Sequence, residues 1–196
     1  MHVLSGRLFR GCDWISRAAR AVAVVAAVMV SLAVVDGFAG APARADGIEL
    51  APGVSVVPAP GWTVGGQGPG WVRFHNAYST AELEVLVKRA SGADPVAILH
   101  ADIRNLSNAS TTGLVNVGNL SAPTVSPVQG GNFQKEASIN FTADGTTAMG
   151  AVPVTGWFME MVNPSTHQSA FIVFAQNGDA PGRADGDATA IIGSLL

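Results

Sequence analysis

The sequence predicts an α+β domain: an antiparallel β-sheet with helices packed on it. Three observations lead there. Residues 82–89 and 133–142 alternate apolar and polar side chains with the period of two that a strand requires. Residues 152–162 and 167–176 are apolar on both faces, which places two strands mid-sheet and demands cover on each side. Residues 96–106 and 188–195 space their apolar side chains three and four apart, so helices can supply that cover.

The elements follow in chain order. Residues 1–20 carry Arg7, Arg10, Arg17 and Arg20 against the single acid Asp13. Residues 21–35 are then apolar apart from one serine, and Ala43-Arg44-Ala45 precedes Asp46. A charged start, an apolar centre and small residues at an A-x-A site make a secretory signal peptide, with cleavage expected between Ala45 and Asp46. The alternative is an uncleaved anchor through residues 21–35. That run is short of the ~20 residues a spanning helix needs, and Asp36, Gly37 and Pro42 oppose its extension. Residues 46–196 then form a single domain.

Short strands are expected at 48–50 and 54–57, joined through Pro52-Gly53, and at 62–64 after Pro58, Pro60 and Gly61. The glycine-rich run 65–70 reads as a flexible loop. Residues 71–75 read as a strand. Residues 82–89 read as a strand with Leu83, Val85 and Val87 inward and Glu82, Glu84 and Lys88 on a solvated face. Asp94-Pro95 opens a helix, because Asp accepts a free N–H at the N-cap and Pro suits the first turn. Val96, Leu99, Ile103 and Leu106 form its apolar stripe, and the Ser/Asn/Thr/Gly run 107–113 ends it. Phe133, Ala137, Ile139 and Phe141 are the buried side of the next strand. A hairpin follows around Asn163-Pro-Ser-Thr166, with Trp157, Met159 and Met161 on one side of its first strand and Phe158 and Val162 on the other. Asp185 and Asp187 open the closing helix, whose apolar positions are Ala188, Ile191, Ile192 and Leu195.

Composition narrows the function classes. The 196 residues include 11 Lys plus Arg and 14 Asp plus Glu. Without residues 1–45 the chain keeps six basic and twelve acidic residues, a net charge of −6. A chain of that charge repels phosphate backbones, so nucleic acid is not an expected partner. The one cysteine, Cys12, lies in the signal segment, so the exported domain holds no disulfide and no cysteine-ligated metal.

Candidate chemistry is sparse. His75, His100 and His167 stand apart, with no H-x-x-H or H-E-x-x-H spacing, so no metal site is expected. His100 reads as a half-buried helix residue and His167 as a turn residue. There is no G-x-S-x-G elbow, so no catalytic residue is assigned. A strand rather than a helix follows the run 65–70, and Lys-Ser/Thr is missing, so that run is not a phosphate loop. Asp179, Asp185 and Asp187 read as helix-terminal acids rather than calcium ligands. Trp157, Met159 and Met161 are the one candidate ligand-binding set, because methionine and tryptophan side by side can line a pocket for an apolar molecule. No cofactor is expected.

The segment Gly53-Val-Ser-Val-x-Pro58-x-x-Gly61-Trp62-x-Val64 resembles the opening of PsbP/Mog1-like domains. These include exported actinobacterial, mycobacterial-type envelope proteins. The order of elements over 48–196 matches as well. The resemblance implies an α-β-α sandwich. Cys12 precedes the apolar run, so the lipid anchor of the lipoprotein members is absent. Members serve as photosystem assembly factors, a small-GTPase cofactor and cell-envelope proteins, and no functional residue transfers by motif. The expectation is an exported, non-enzymatic binding or accessory protein of the cell envelope, secreted or held by residues 21–35. Its partner is another envelope or secreted protein. A carrier or sensor of an apolar small molecule or lipid is the alternative, and a hydrolase with a catalytic set assembled from distant residues is the remote one.

Overall fold

A computed structural model describes residues 47–108, 113–147 and 150–196. The expected signal peptide, its Ala45–Asp46 cleavage site and the anchor alternative at 21–35 lie outside the described residues. Among the described residues no helix is long and apolar enough to cross a membrane.

The chain begins with a two-stranded ribbon, β1 (Ile48–Ala51) and β2 (Val54–Val56), turned at Gly53 with φ +79°. Then come β3 (Trp62–Gly68), β4 (Trp71–Asn76), β5 (Ala81–Arg89) and α1 (Pro95–Asn108). After them run β6 (Leu114–Gly118), β7 (Thr124–Pro127), β8 (Lys135–Thr147), β9 (Gly150–Asn163), β10 (Gln168–Asn177) and α2 (Ala184–Gly193). The main sheet is antiparallel in the order β3-β4-β5-β10-β9-β8-β6, with β7 also paired to β8. The chain leaves at β5, crosses by α1 to the far side, and returns through β8 and β9 to lay β10 against β5.

Each face of the sheet packs its own core. On one face Val72, Phe74, Leu83, Val85, Ile172, Phe174 and Met161 meet Ala188, Ile191 and Leu195 of the α2 segment and Leu50, Val54 and Val56 of the ribbon. On the other, Ile139, Phe141, Phe158, Phe171 and Val173 meet Leu99 and Ile103 of α1. Phe141 stacks on Phe158 with ring centroids 4.2 Å apart. This is the expected three-layer α+β architecture, and β9 and β10 occupy the mid-sheet positions that their two apolar faces require.

Three expectations need correction. The run 65–70 is not a loop. β3 continues to Gly68 and turns at Gly70, φ +79°, into β4. Side chains from β4 fold onto this strand: a Cβ on Gly65 would overlap the His75 ring, and one on Gly66 would lie 3.3 Å from Trp71. The glycines serve close packing rather than flexibility. Secondly, the face of β5 that carries Glu82 and Glu84 is buried, with Glu82 only 2% and Glu84 8% exposed. β5 lies between β4 and β10, so His75, Arg73, Val173 and Ala175 flank these carboxyls across the ladder. Thirdly, Phe133 lies before β8 and packs in the α2-side core, on the other face from Ala137, Ile139 and Phe141. β6 and β7 fall in stretches that show no clear alternation. Pairing with β8 makes them strands, despite left-handed Asn116 (φ 55°) in β6, Pro123 just before β7 and Pro127 at its end.

Candidate functional site

The most elaborate polar arrangement lies where β4 turns into β5. Asn76 builds the turn. Its Oδ1 accepts from the Thr80 and Ala81 backbone N–H groups at 2.9 and 3.1 Å, and its Nδ2 donates to Thr80 Oγ1 at 3.1 Å. Ser79 takes φ 53° to close it, its N–H donating to Asn76 O. From outside, Asn177 N–H donates to Thr80 O at 3.0 Å. The turn is therefore fixed on both flanks, and it holds Tyr78 out from the molecule at 74% exposure. Tyr78 is the only tyrosine in the chain.

Below the turn lies an ionic group. Strand pairing sets His75 opposite Glu82 and Arg73 opposite Glu84. His75 Nδ1 is 3.2 Å from Glu82 Oε2, and Arg73 Nε is 3.7 Å from Glu82 Oε1. Arg73 also lies 6.0 Å from the Trp71 ring, within reach of a cation–π contact. Burial pushes the Glu84 carboxyl up to about 8, with the neighbouring Glu82 charge adding to the effect and Arg73 opposing it. Glu84 is thus protonated at neutral pH, and Arg73 serves Glu82.

A cleft opens beside this group, lined in part by His75, Ser79, Thr80, Glu82, Gln176 and Asn177. Its free volume is about 20 Å³, room for about one water molecule. His75 is fixed there, with one ring nitrogen on Glu82 and the opposite edge against Gly65. Among the described residues no group of three or more His, Cys, Asp or Glu side chains is placed to hold a metal ion.

The residues singled out from sequence are scattered. Met161 is fully buried in the α2-side core, with Trp157 and Met159 half-buried against it. Trp157 stacks on Phe174 at 5.1 Å and donates its indole N–H to Asp185 Oδ1 at 2.8 Å. The cleft below the turn has other linings, as do the shallow hollows beside β7 and beside β9. His100 is half-buried on α1, and His167 is exposed at the β9–β10 turn with φ 55°. Asp185 and Asp187 lie in the first turn of α2 and receive indole hydrogen bonds, Asp187 from Trp62 at 3.3 Å. Sequence reasoning missed the Arg73–His75–Glu82–Glu84 group. Its one signal is that the two acids of β5 alternate in step with Arg73 and His75 of β4, as cross-strand ion pairs do.

No protein-family model matches the chain, and no curated protein matches it in sequence. Solved structures do. The solution structure of cyanobacterial PsbP (CyanoP) from Synechocystis sp. PCC 6803 is 12% identical, with a TM-score of 0.50 over 72% of this chain and 85% of that one. The Saccharomyces cerevisiae Ran-binding protein Mog1p is 11% identical, with a TM-score of 0.47 over 76% of this chain and 90% of that one. The chain has a PsbP/Mog1-like fold.

Proposed function

We propose that the chain is an exported, non-enzymatic accessory protein of the cell envelope. In this reading it docks another protein through the β4–β5 turn. The single observation that carries the docking site is Tyr78. An aromatic residue at 74% exposure, on a turn braced by Asn76 and Asn177, loses little freedom when it is buried by a partner. Tyrosine brings a large apolar face together with a hydroxyl, the combination enriched at interface hot spots. The narrow cleft and the two-sided packing of His75 favour binding over turnover. Export rests on the signal pattern of residues 1–45.

Chemical cross-linking through lysine and carboxylate side chains, on cells that express the chain, tests the site. A discrete envelope or secreted protein should be captured by the wild type. Tyr78→Ala should weaken capture at least tenfold, while Val125→Ala, an exposed residue on β7, leaves it intact. Equal capture by wild type and Tyr78→Ala would reject the turn as the docking site. N-terminal sequencing of the exported form tests the location, with Asp46 expected as its first residue.

A further inference from the structure

A second buried polar group lies under α1, apart from the β4–β5 turn. Glu160 projects from β9 with 0% exposure. Its carboxyl lies beside Ser169, Asp102 and Lys88. Ser169, on β10, is also fully buried. Lys88 of β5 and Asp102 of α1 form an ion pair, and the Lys88 ammonium lies 5.6 Å from the Phe171 ring. Across the ladder Glu160 is flanked by Ala137 of β8 and Phe171 of β10. The charged groups facing it are therefore Lys88 from the sheet and Asp102 from the helix; Lys135 shares this face of β8 two residues from Ala137 but is exposed near the start of α1, and β10 presents uncharged side chains.

This placement ties the helix to a proton. Two carboxyl groups meet one ammonium, and Lys88 is paired with Asp102. With α1 down, Glu160 has no water to solvate a charge, and a second carboxylate would face that of Asp102. Raising α1 carries Asp102 away and lets water reach Glu160.

We infer that Glu160, Asp102 and Lys88 form an acid-tightened clamp on α1: a proton on Glu160 holds the helix on the sheet, and loss of that proton loosens it. Loosening uncovers the Phe141–Phe158–Phe171 side of the sheet, an apolar surface kept covered at acid pH. Burial comes first in raising the Glu160 carboxyl from 4.5 to about 8. Asp102 adds to the rise, and Lys88 works against it. Below pH 4.5 the carboxyl is protonated with the helix up or down, and the clamp is at full strength. Between 4.5 and about 8 only the raised state ionises, so the preference for the closed state falls tenfold per pH unit. Above 8 both states are ionised and the preference levels off.

Hydrogen–deuterium exchange on the intact chain between pH 5 and 9, corrected for intrinsic rates, tests the clamp. The α1 amides should be less protected than those of β10 throughout. Their protection should fall about tenfold per pH unit up to about 8 and then level off. Glu160→Gln, which cannot ionise, should give a flat α1 profile. A flat α1 profile in the wild type would overturn the inference. So would equal protection of α1 and β10 across the series, which would mean that the helix has no opening of its own, or an unchanged slope in Glu160→Gln. The wild-type series decides by itself if the variant does not fold.

Discussion

Glu82 of β5 joins His75 of β4 at 3.2 Å through one carboxylate oxygen, while its other oxygen lies 3.7 Å from Arg73. One nearly inaccessible acid thus holds two basic side chains from the neighbouring strand. Strand register alone brings them together, since His75 stands opposite Glu82 and Arg73 opposite the next residue on the same face, Glu84.

Arg73 is only 3% exposed and Glu82 only 2%, so the two charges are taken out of water together. Arg73→Met should leave the buried Glu82 carboxylate without the guanidinium beside it and cost about 3–5 kcal/mol. The double variant Arg73→Met/Glu82→Gln removes both charges and should recover a large part of that loss. Urea unfolding of the wild type, the two single variants and the double variant gives the coupling. Additive single losses would show that the pair does not act as a unit.

Glu84 makes stability depend on pH. Its carboxyl is raised from 4.5 to about 8, so the folded state binds a proton that the unfolded state releases. The contribution is whole below 4.5 and declines as pH rises from 4.5 to about 8. Glu84→Gln keeps a neutral side chain of the same size. The difference in unfolding free energy between variant and wild type should therefore grow in the variant's favour from pH 5 to pH 8. Taking the difference cancels other titrating groups. Paired denaturant curves at each pH measure it, and a constant difference would show that Glu84 is ionised when folded.

How far these features could be read from sequence depends on what fixes them. Period-two alternation, runs apolar on both faces and the Asp94-Pro95 helix start are local, and they locate β4, β5, α1, the body of β8, and β9 and β10. The buried acids could not be read in the same way. Glu82 and Glu84 alternate with leucine and valine as solvated residues do, and the side chains that β4 and β10 set beside them, which local sequence does not reveal, help to remove them from water. The Gly-rich β3 misleads for a related reason: glycine signals freedom locally, whereas here it makes room for Trp71, Arg73 and His75. β6 and β7 are strands because β8 is long enough to pair with both. Asn76, the residue that fixes the Tyr78 turn, bonds within five residues, yet its short polar pattern differs little from that of an ordinary turn.

Two tryptophans tie the sheet side to α2. Trp62 and Trp157 donate indole N–H bonds to Asp187 and Asp185, acids in the helix's first turn. Arg183 at the N-cap makes no side-chain capping bond, so these indoles brace the start of the helix. Trp157→Phe keeps the stacking on Phe174 and loses the bond, for a cost of about 1 kcal/mol. Trp157→Ala also loses the half-buried ring and should cost about 2–3 kcal/mol, less than a fully buried ring would. Thermal unfolding of both variants separates the two contributions. Equal losses would assign the whole effect to the indole bond.

Gly156 and Gly178 should respond in opposite ways to the same substitution. Gly156 stands opposite Ala175 in the β9–β10 ladder, and a Cβ there would overlap the Phe174 carbonyl oxygen and lie 2.9 Å from Ala175 Cα. Backbone cannot move aside as a flexible side chain can, and both strands are mid-sheet. Gly156→Ala should therefore cost about 3 kcal/mol or more, the upper end of overpacking in a core. Around Gly178, just beyond β10, a Cβ meets nothing within 4 Å. Gly178→Ala restricts the unfolded chain without a clash and should stabilise the fold by about 0.4–1 kcal/mol. Chemical denaturation of the two variants beside the wild type checks both signs. A mild effect at Gly156 would mean that β9 and β10 can separate locally, which would weaken the placement of these strands as the rigid centre of the sheet.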